Sequence, residues 1–251
     1  MSTIAALQLG ADVEKPEEDV IVTGGGFTLD TGLYPMVIEN AYLEKTDSGA
    51  MMMHVHLKRK AGGNQVYRFK NCIVSGDAKG NKPTYFDAKT KKERPLPGYS
   101  QMDQICKIAG GIPLSQIEPE KKLIKLWDFD VGAEVPREMP VVTQIIGQEI
   151  LAGIQFRREN KRANQNGKWV DTNEAREYNE LDKVFYPDGF TVTEKAAEAE
   201  EAVFVEKWAK AFPEGTVVDK FKPVQGAPAA ASGASAPAST AAAAPDDLFS
   251  D

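Results

Sequence analysis

The 251-residue chain has a formal net charge of −7, with 42% hydrophobic and 27% charged residues. That length allows one or two domains with a sizeable core, and that composition excludes wholesale disorder. There is no apolar run of roughly 18 residues, so no transmembrane helix and no membrane partner are expected.

Met1 to Lys15 lacks the basic and apolar regions of a signal peptide. Residues 1–26 form an acidic arm (Asp12, Glu14, Glu17, Glu18 and Asp19), expected to be flexible, before a folded domain over 27–223. Gly24-Gly25-Gly26 reads as a hinge rather than a phosphate loop. Residues 33–45 are apolar on both faces and predict a strand. Residues 50–60 alternate: Met51, Met53, Val55 and Leu57 face inward, while His54, His56, Lys58 and Lys60 form a basic outer face. Gly62-Gly63-Asn64 signals a hairpin turn into a strand over 65–74. There Tyr67 and Phe69 oppose Arg68 and Lys70.

Residues 76–98, rich in Gly, Lys and Pro, predict a long loop, functional or mobile. Ser100 has the character of an N-cap for a helix over 101–109, stopped by Gly110-Gly111. A strand follows at 122–129, then a helical turn or two at 141–146. Residues 149–158 and 168–170 predict a hairpin around Asn166-Gly167. Thr191 and Glu194 form a capping-box pattern before a helix over 195–212, where Phe204, Trp208 and Phe212 make one apolar stripe. The expected fold is mainly β with peripheral helices: a small five-stranded antiparallel barrel of the OB type.

Cys72 and Cys106 are too few for a disulfide scaffold and match no zinc spacing, so a reducing, cytoplasmic location is expected. No HExxH, GxSxG or GxxxxGK[ST] motif occurs. His54 and His56 share a strand face but lack further metal ligands nearby. The carboxylates of 171–206, read in a helical context, belong to a solvated face. No converging set for two-metal nuclease chemistry is identifiable. Neither catalysis nor a cofactor or metal is expected.

The negative total hides charge segregation. Residues 54–101 carry a balance of +8 and residues 155–169 one of +4, while residues 171–206 carry −8. Lysine and arginine neutralise phosphates, and aromatic faces stack on unpaired bases. The candidate DNA contacts in the first basic stretch are Lys58, Lys60, Arg68, Lys70, Lys79, Lys82, Tyr85, Phe86, Lys89, Lys91, Lys92, Arg94 and Tyr99. In or beside the second they are Arg157, Arg158, Lys161 and Trp169. Tyr67 and Phe69, facing away from Arg68 and Lys70, read as packing residues.

Residues 224–245 contain 11 alanines and no charge, a composition that cannot bury enough surface to order itself. They form a linker to a terminal acidic tip. In that tip Asp246, Asp247, Leu248, Phe249 and Asp251 make a candidate partner-binding tail.

The runs TGLYPMVIENAYLEKTDSGAMM (31–52), LPGYSQMDQICKIAGG (96–111), KLIKLWDFD (122–130) and NELDKVF (179–185) resemble a bacteriophage single-stranded DNA-binding protein family. The resemblance spans roughly 31–212. It implies an OB-fold without enzymatic activity that protects single strands during phage replication, recombination and repair in the host cytoplasm. The tail is similar to those that recruit replication proteins (a polymerase, helicase-primase or nuclease), although Phe249 is not terminal and the acids are few. A homo-oligomer is compatible with this reading. The alternatives are a metal-dependent single-strand nuclease using His54 and His56, or a protein-only replication adaptor.

Overall fold

The computed structural model describes residues 28–224, apart from 62, 64, 129, 130, 166 and 167. The elements in chain order are β1 (Gly32–Lys45), β2 (Met51–Arg59), β3 (Val66–Val74), β4 (Thr84–Asp87), β5 (Lys92–Pro95), α1 (Pro97–Gly110), β6 (Glu120–Asp128), β7 (Ala133–Val141), β8 (Glu149–Gln165), β9 (Lys168–Phe185), α2 (Val192–Ala196), α3 (Val203–Ala211) and β10 (Val217–Asp219). The chain is mainly β. The chief sheet runs β10-β8-β1-β2-β3, with β9 paired to β8 and the β6–β7 hairpin joined to β1; β4 and β5 form a separate ribbon.

The apolar residues on both faces of β1 have a local cause. A register irregularity between Ile38 and Asn40 changes the inward parity. Met36 and Ile38 are buried before it and Ala41 after it. The alternation expected in β2 is present, with Met53, Val55 and Leu57 all fully buried. Ile150, Ala152 and Ile154 of β8 complete the inner layer with Phe69 and Ile73 of β3.

α1 closes one side of that core with Met102, Ile105, Cys106 and Ile108. It starts earlier than the sequence predicts. Pro97 occupies the first turn and Leu96 the cap position, so Ser100 lies inside the helix and caps nothing. Gly98 lets the helix meet β3 closely, since a Cβ there would fall 2.3 Å from the Cys72 carbonyl oxygen.

The sheet is not closed into the five-stranded barrel expected: β3 and β9 share no backbone ladder among the described residues. Gln101 of α1 spans the seam instead. Its Oε1 accepts from Asn71 Nδ2 on β3, and its Nε2 donates to the Leu181 carbonyl on β9. Lys183 Nζ adds a bond to Gln104 Oε1 at 3.1 Å.

β8 and β9 run far beyond the expected 149–158 and 168–170, pairing from Leu151↔Phe185 out to Gln165↔Lys168 as a long arm. The helical reading of 171–206 is therefore wrong over 171–185, which is strand. Three arm asparagines mimic a neighbouring strand. Asn179 exchanges two hydrogen bonds with the backbone of Leu29, both at 2.7 Å. Asn160 does the same with Lys222 and Asn173 with Val224. Both ends of the described chain are thus strapped to the arm.

The helix expected at 195–212 is two helices. Thr191 and Glu194 form the capping box of α2, and Glu198 then takes a left-handed φ of +52°. Glu194 also accepts from Phe204 N at 2.7 Å, so one carboxylate serves both helix starts. The apolar stripe docks through Trp208, which is 4% exposed, whereas Phe204 remains 41% exposed. Of the helical turn or two expected at 141–146, one 3₁₀ turn, Thr143–Ile145, is present, and Val141 is the last residue of β7. The strands β7 and β10 have no counterpart among the sequence expectations, and the segment 76–98, expected as a loop, contains β4 and β5.

Candidate nucleic-acid interface

The root of the β4–β5 hairpin is pinned on one side to Ser75, just after β3. Ser75 N donates to the Lys82 carbonyl and Lys82 N to Ser75 Oγ, each at 2.9 Å. Leu96 N closes the root across to the other leg by donating to the Pro83 carbonyl at 2.9 Å. Below it, Asp77 packs over Gly49, where a Cβ would lie 2.2 Å from its Oδ1, and its backbone N–H donates to the Ser48 carbonyl.

Asp87 organises the hairpin turn. Its carboxylate accepts from Thr90 Oγ1 at 2.7 Å and from Lys89 N at 2.9 Å, and it pairs with Arg94 Nε at 3.0 Å. Those donors, Thr90 foremost, hold its pKa below the usual carboxylate range. With Asp87 committed to the turn, the hairpin cations dominate the surface. Lys82, Lys89, Lys91 and Lys92 are exposed, with no carboxylate within ion-pairing distance among the described residues. Phe86 is 64% exposed and Tyr85 is 37% exposed. Lys79, Lys82, Tyr85 and Phe86 converge with Ser75, Thr84, Glu93 and Leu96 around a cavity of about 240 Å³. No sequence signal distinguishes Glu93, which counts there only as one charge against the basic balance.

The outer face of β1–β2–β3 differs from the exposed basic strip expected. Cross-strand register places Tyr42 opposite His54, His54 opposite Lys70, and His56 opposite Arg68. Tyr42 stacks on His54 at 4.5 Å and meets His56 edge-on at 5.5 Å. His56 is 7% exposed, and burial pushes its pKa down to about 4. Burial also lowers that of His54 despite Glu44, whose carboxylate lies 2.7 Å from the ring. The tyrosine hydroxyl is pushed up to about 12 by the same burial. The two histidines are therefore part of a packed layer. Arg68 remains exposed on this face, Lys58 and Lys70 are half-buried, and Lys60 is tied to Glu149 at 2.7 Å. Among the described residues no group of three or more His, Cys, Asp or Glu is disposed to hold a metal.

The second basic stretch is not a bare cationic surface. β9 returns its acids directly beside it: Arg157 pairs with Glu180, Lys161 with Glu174 at 3.0 Å, and Arg162 with Asp171 at 3.5 Å. Arg158 reaches Asp219 at 3.3 Å and Glu177 at 3.8 Å. Trp169 is 47% exposed near the end of the arm. Tyr99 is partly buried against the core, a packing position.

The tail residues Asp246, Asp247, Leu248, Phe249 and Asp251, and the acidic arm of 1–26, lie outside the described residues. No helix among the described residues is long and apolar enough to cross a membrane. No protein-family model matches the chain, and no curated protein matches it.

Proposed function

We propose that this chain is a non-catalytic single-stranded DNA-binding protein of phage replication and recombination, without a strict sequence requirement. The observation that carries this reading is the β4–β5 hairpin. It presents exposed Phe86 and Tyr85 beside four lysines that have no carboxylate partner among the described residues. Aromatic faces and unpaired cations are the two elements that single-strand binding needs. The sequence resemblance to phage single-stranded DNA-binding proteins supports the same conclusion.

The sheet is read as an OB barrel opened at one seam. Support comes from the order β9-β8-β1-β2-β3, with α1 following β3 and reaching across to β9. The tip with Leu248 and Phe249 is assigned to recruiting replication proteins, from its acidic and apolar composition.

The test is fluorescence titration of the full chain with oligo-dT and with duplex DNA at two salt concentrations. Preference for the single strand, weakening steeply with salt, is expected. Phe86→Ala should weaken oligo-dT binding by about 1–3 kcal/mol. Absent or salt-independent binding overturns the proposal. Deleting 246–251 should leave DNA affinity intact or tighter and abolish capture of a replication protein.

A further inference from the structure

We infer that the cavity at the root of the β4–β5 hairpin is a single-base subsite in which Glu93 discriminates among bases. The inference rests on the single-strand reading above and refines it.

An acid is out of place on a surface meant for phosphates. Asp87 is accounted for by the turn it builds, and Asp77 by its contacts beneath the hairpin. Glu93 has no such structural task. It is exposed, with no hydrogen-bond donor and no cation within bonding distance among the described residues. It stands directly opposite Phe86 in the β4–β5 register, so both side chains leave the same face of the ribbon. Both also line the 240 Å³ cavity, whose floor includes buried Ser75 and Leu96. That volume lies below the roughly 300–1,000 Å³ of pockets for drug-sized ligands and suits one heterocycle.

Phe86 offers a stacking face, Lys79 and Lys82 offer charge to the flanking phosphates, and Glu93 offers two acceptors to the base edge. A carboxylate accepts well from the exocyclic amine of cytosine or adenine, and from the adjacent N–H groups of guanine. Thymine and uracil present one imide N–H between two carbonyl oxygens, which repel it. The subsite therefore favours amino-bearing bases over thymine and uracil.

The experiment compares oligo-dC with oligo-dU, of equal length and at fixed salt, on the full chain. These bases are close in shape and differ at the edge Glu93 would read. Wild type should bind oligo-dC at least about five-fold tighter, the low end of discrimination by one good base contact. Glu93→Ala should tighten both complexes, because a negative charge is gone, and bring their ratio towards one. Glu93→Gln, which keeps one acceptor oxygen without charge, should tighten both and retain part of the preference. Equal wild-type affinities, or a ratio unchanged by Glu93→Ala, overturn this inference and leave the single-strand reading standing. Failure to bind either oligonucleotide overturns both.

Discussion

Two residues illustrate how much single positions carry. Trp208 rests against Gly153, where a Cβ would come within 2.9 Å of the indole, and its Nε1 donates to Asp182 at 2.7 Å. Gly153→Ala should therefore destabilise by about 1–3 kcal/mol through overpacking, and Trp208→Ala by about 3–5 kcal/mol through the cavity left. Denaturant midpoints measure both. His56 gives a pH dependence whose sign is fixed. Its folded pKa, about 4, lies below its unfolded value of about 6.5, so the unfolded chain takes up the proton first. Stability is fully present above about pH 6.5 and falls as pH drops towards 4, by about 3 kcal/mol from this group. His56→Gln should flatten the denaturant midpoint over that interval. An unchanged slope would show that the ring is protonated without penalty.

At the scale of elements, two bridging devices can be separated by experiment. Gln101→Leu removes the side-chain bridge between β3 and β9, leaving the Leu181 carbonyl without that donor. The expected loss is about 1–3 kcal/mol, with amide exchange quickened on both sides of the seam. Asn173→Ala cuts only the last strap, so exchange at Val224 should rise while global stability changes by less than about 1 kcal/mol. These devices also explain what can be read from sequence. Alternation identifies β2 and β3, and a turn signal identifies the β8–β9 hairpin, because both are local patterns. The length of the arm is hidden because 171–180 is largely polar, without the apolar period that marks a strand, and only Leu181, Val184 and Phe185 at its end are buried core residues. β10 is three residues long, and its parallel pairing with Phe156–Arg158 is a long-range contact with no local trace. The division between α2 and α3 depends on Glu194 serving two helix starts, which a capping-box pattern alone does not announce.

For the whole molecule, the distribution of charge decides which basic stretch the proposed DNA binding would use. The arm of 155–185 holds seven cations and six acids, interleaved across a ladder. The hairpin cations have fewer acids to answer them. Replacing Lys89, Lys91 and Lys92 by Gln should lower the slope of log affinity against log salt by about 0.7 for each phosphate no longer neutralised. Replacing Arg157, Arg158 and Lys161 should change that slope little. The reverse ranking would move the interface to the arm. Two positive-charge maxima in a linear sequence thus become one open cationic ribbon and one internally balanced arm, because the β9 part of the acidic stretch, with Asp171, Glu174, Glu177 and Glu180, folds back onto the +4 stretch. The strap on that arm has a mechanical consequence. Tension applied beyond Val224 loads the Asn173 pair first, then the Asn160 pair at Lys222, and only afterwards the β10 ladder. A partner pulling on this end would peel the strap stepwise, and the core of the sheet would bear the load last.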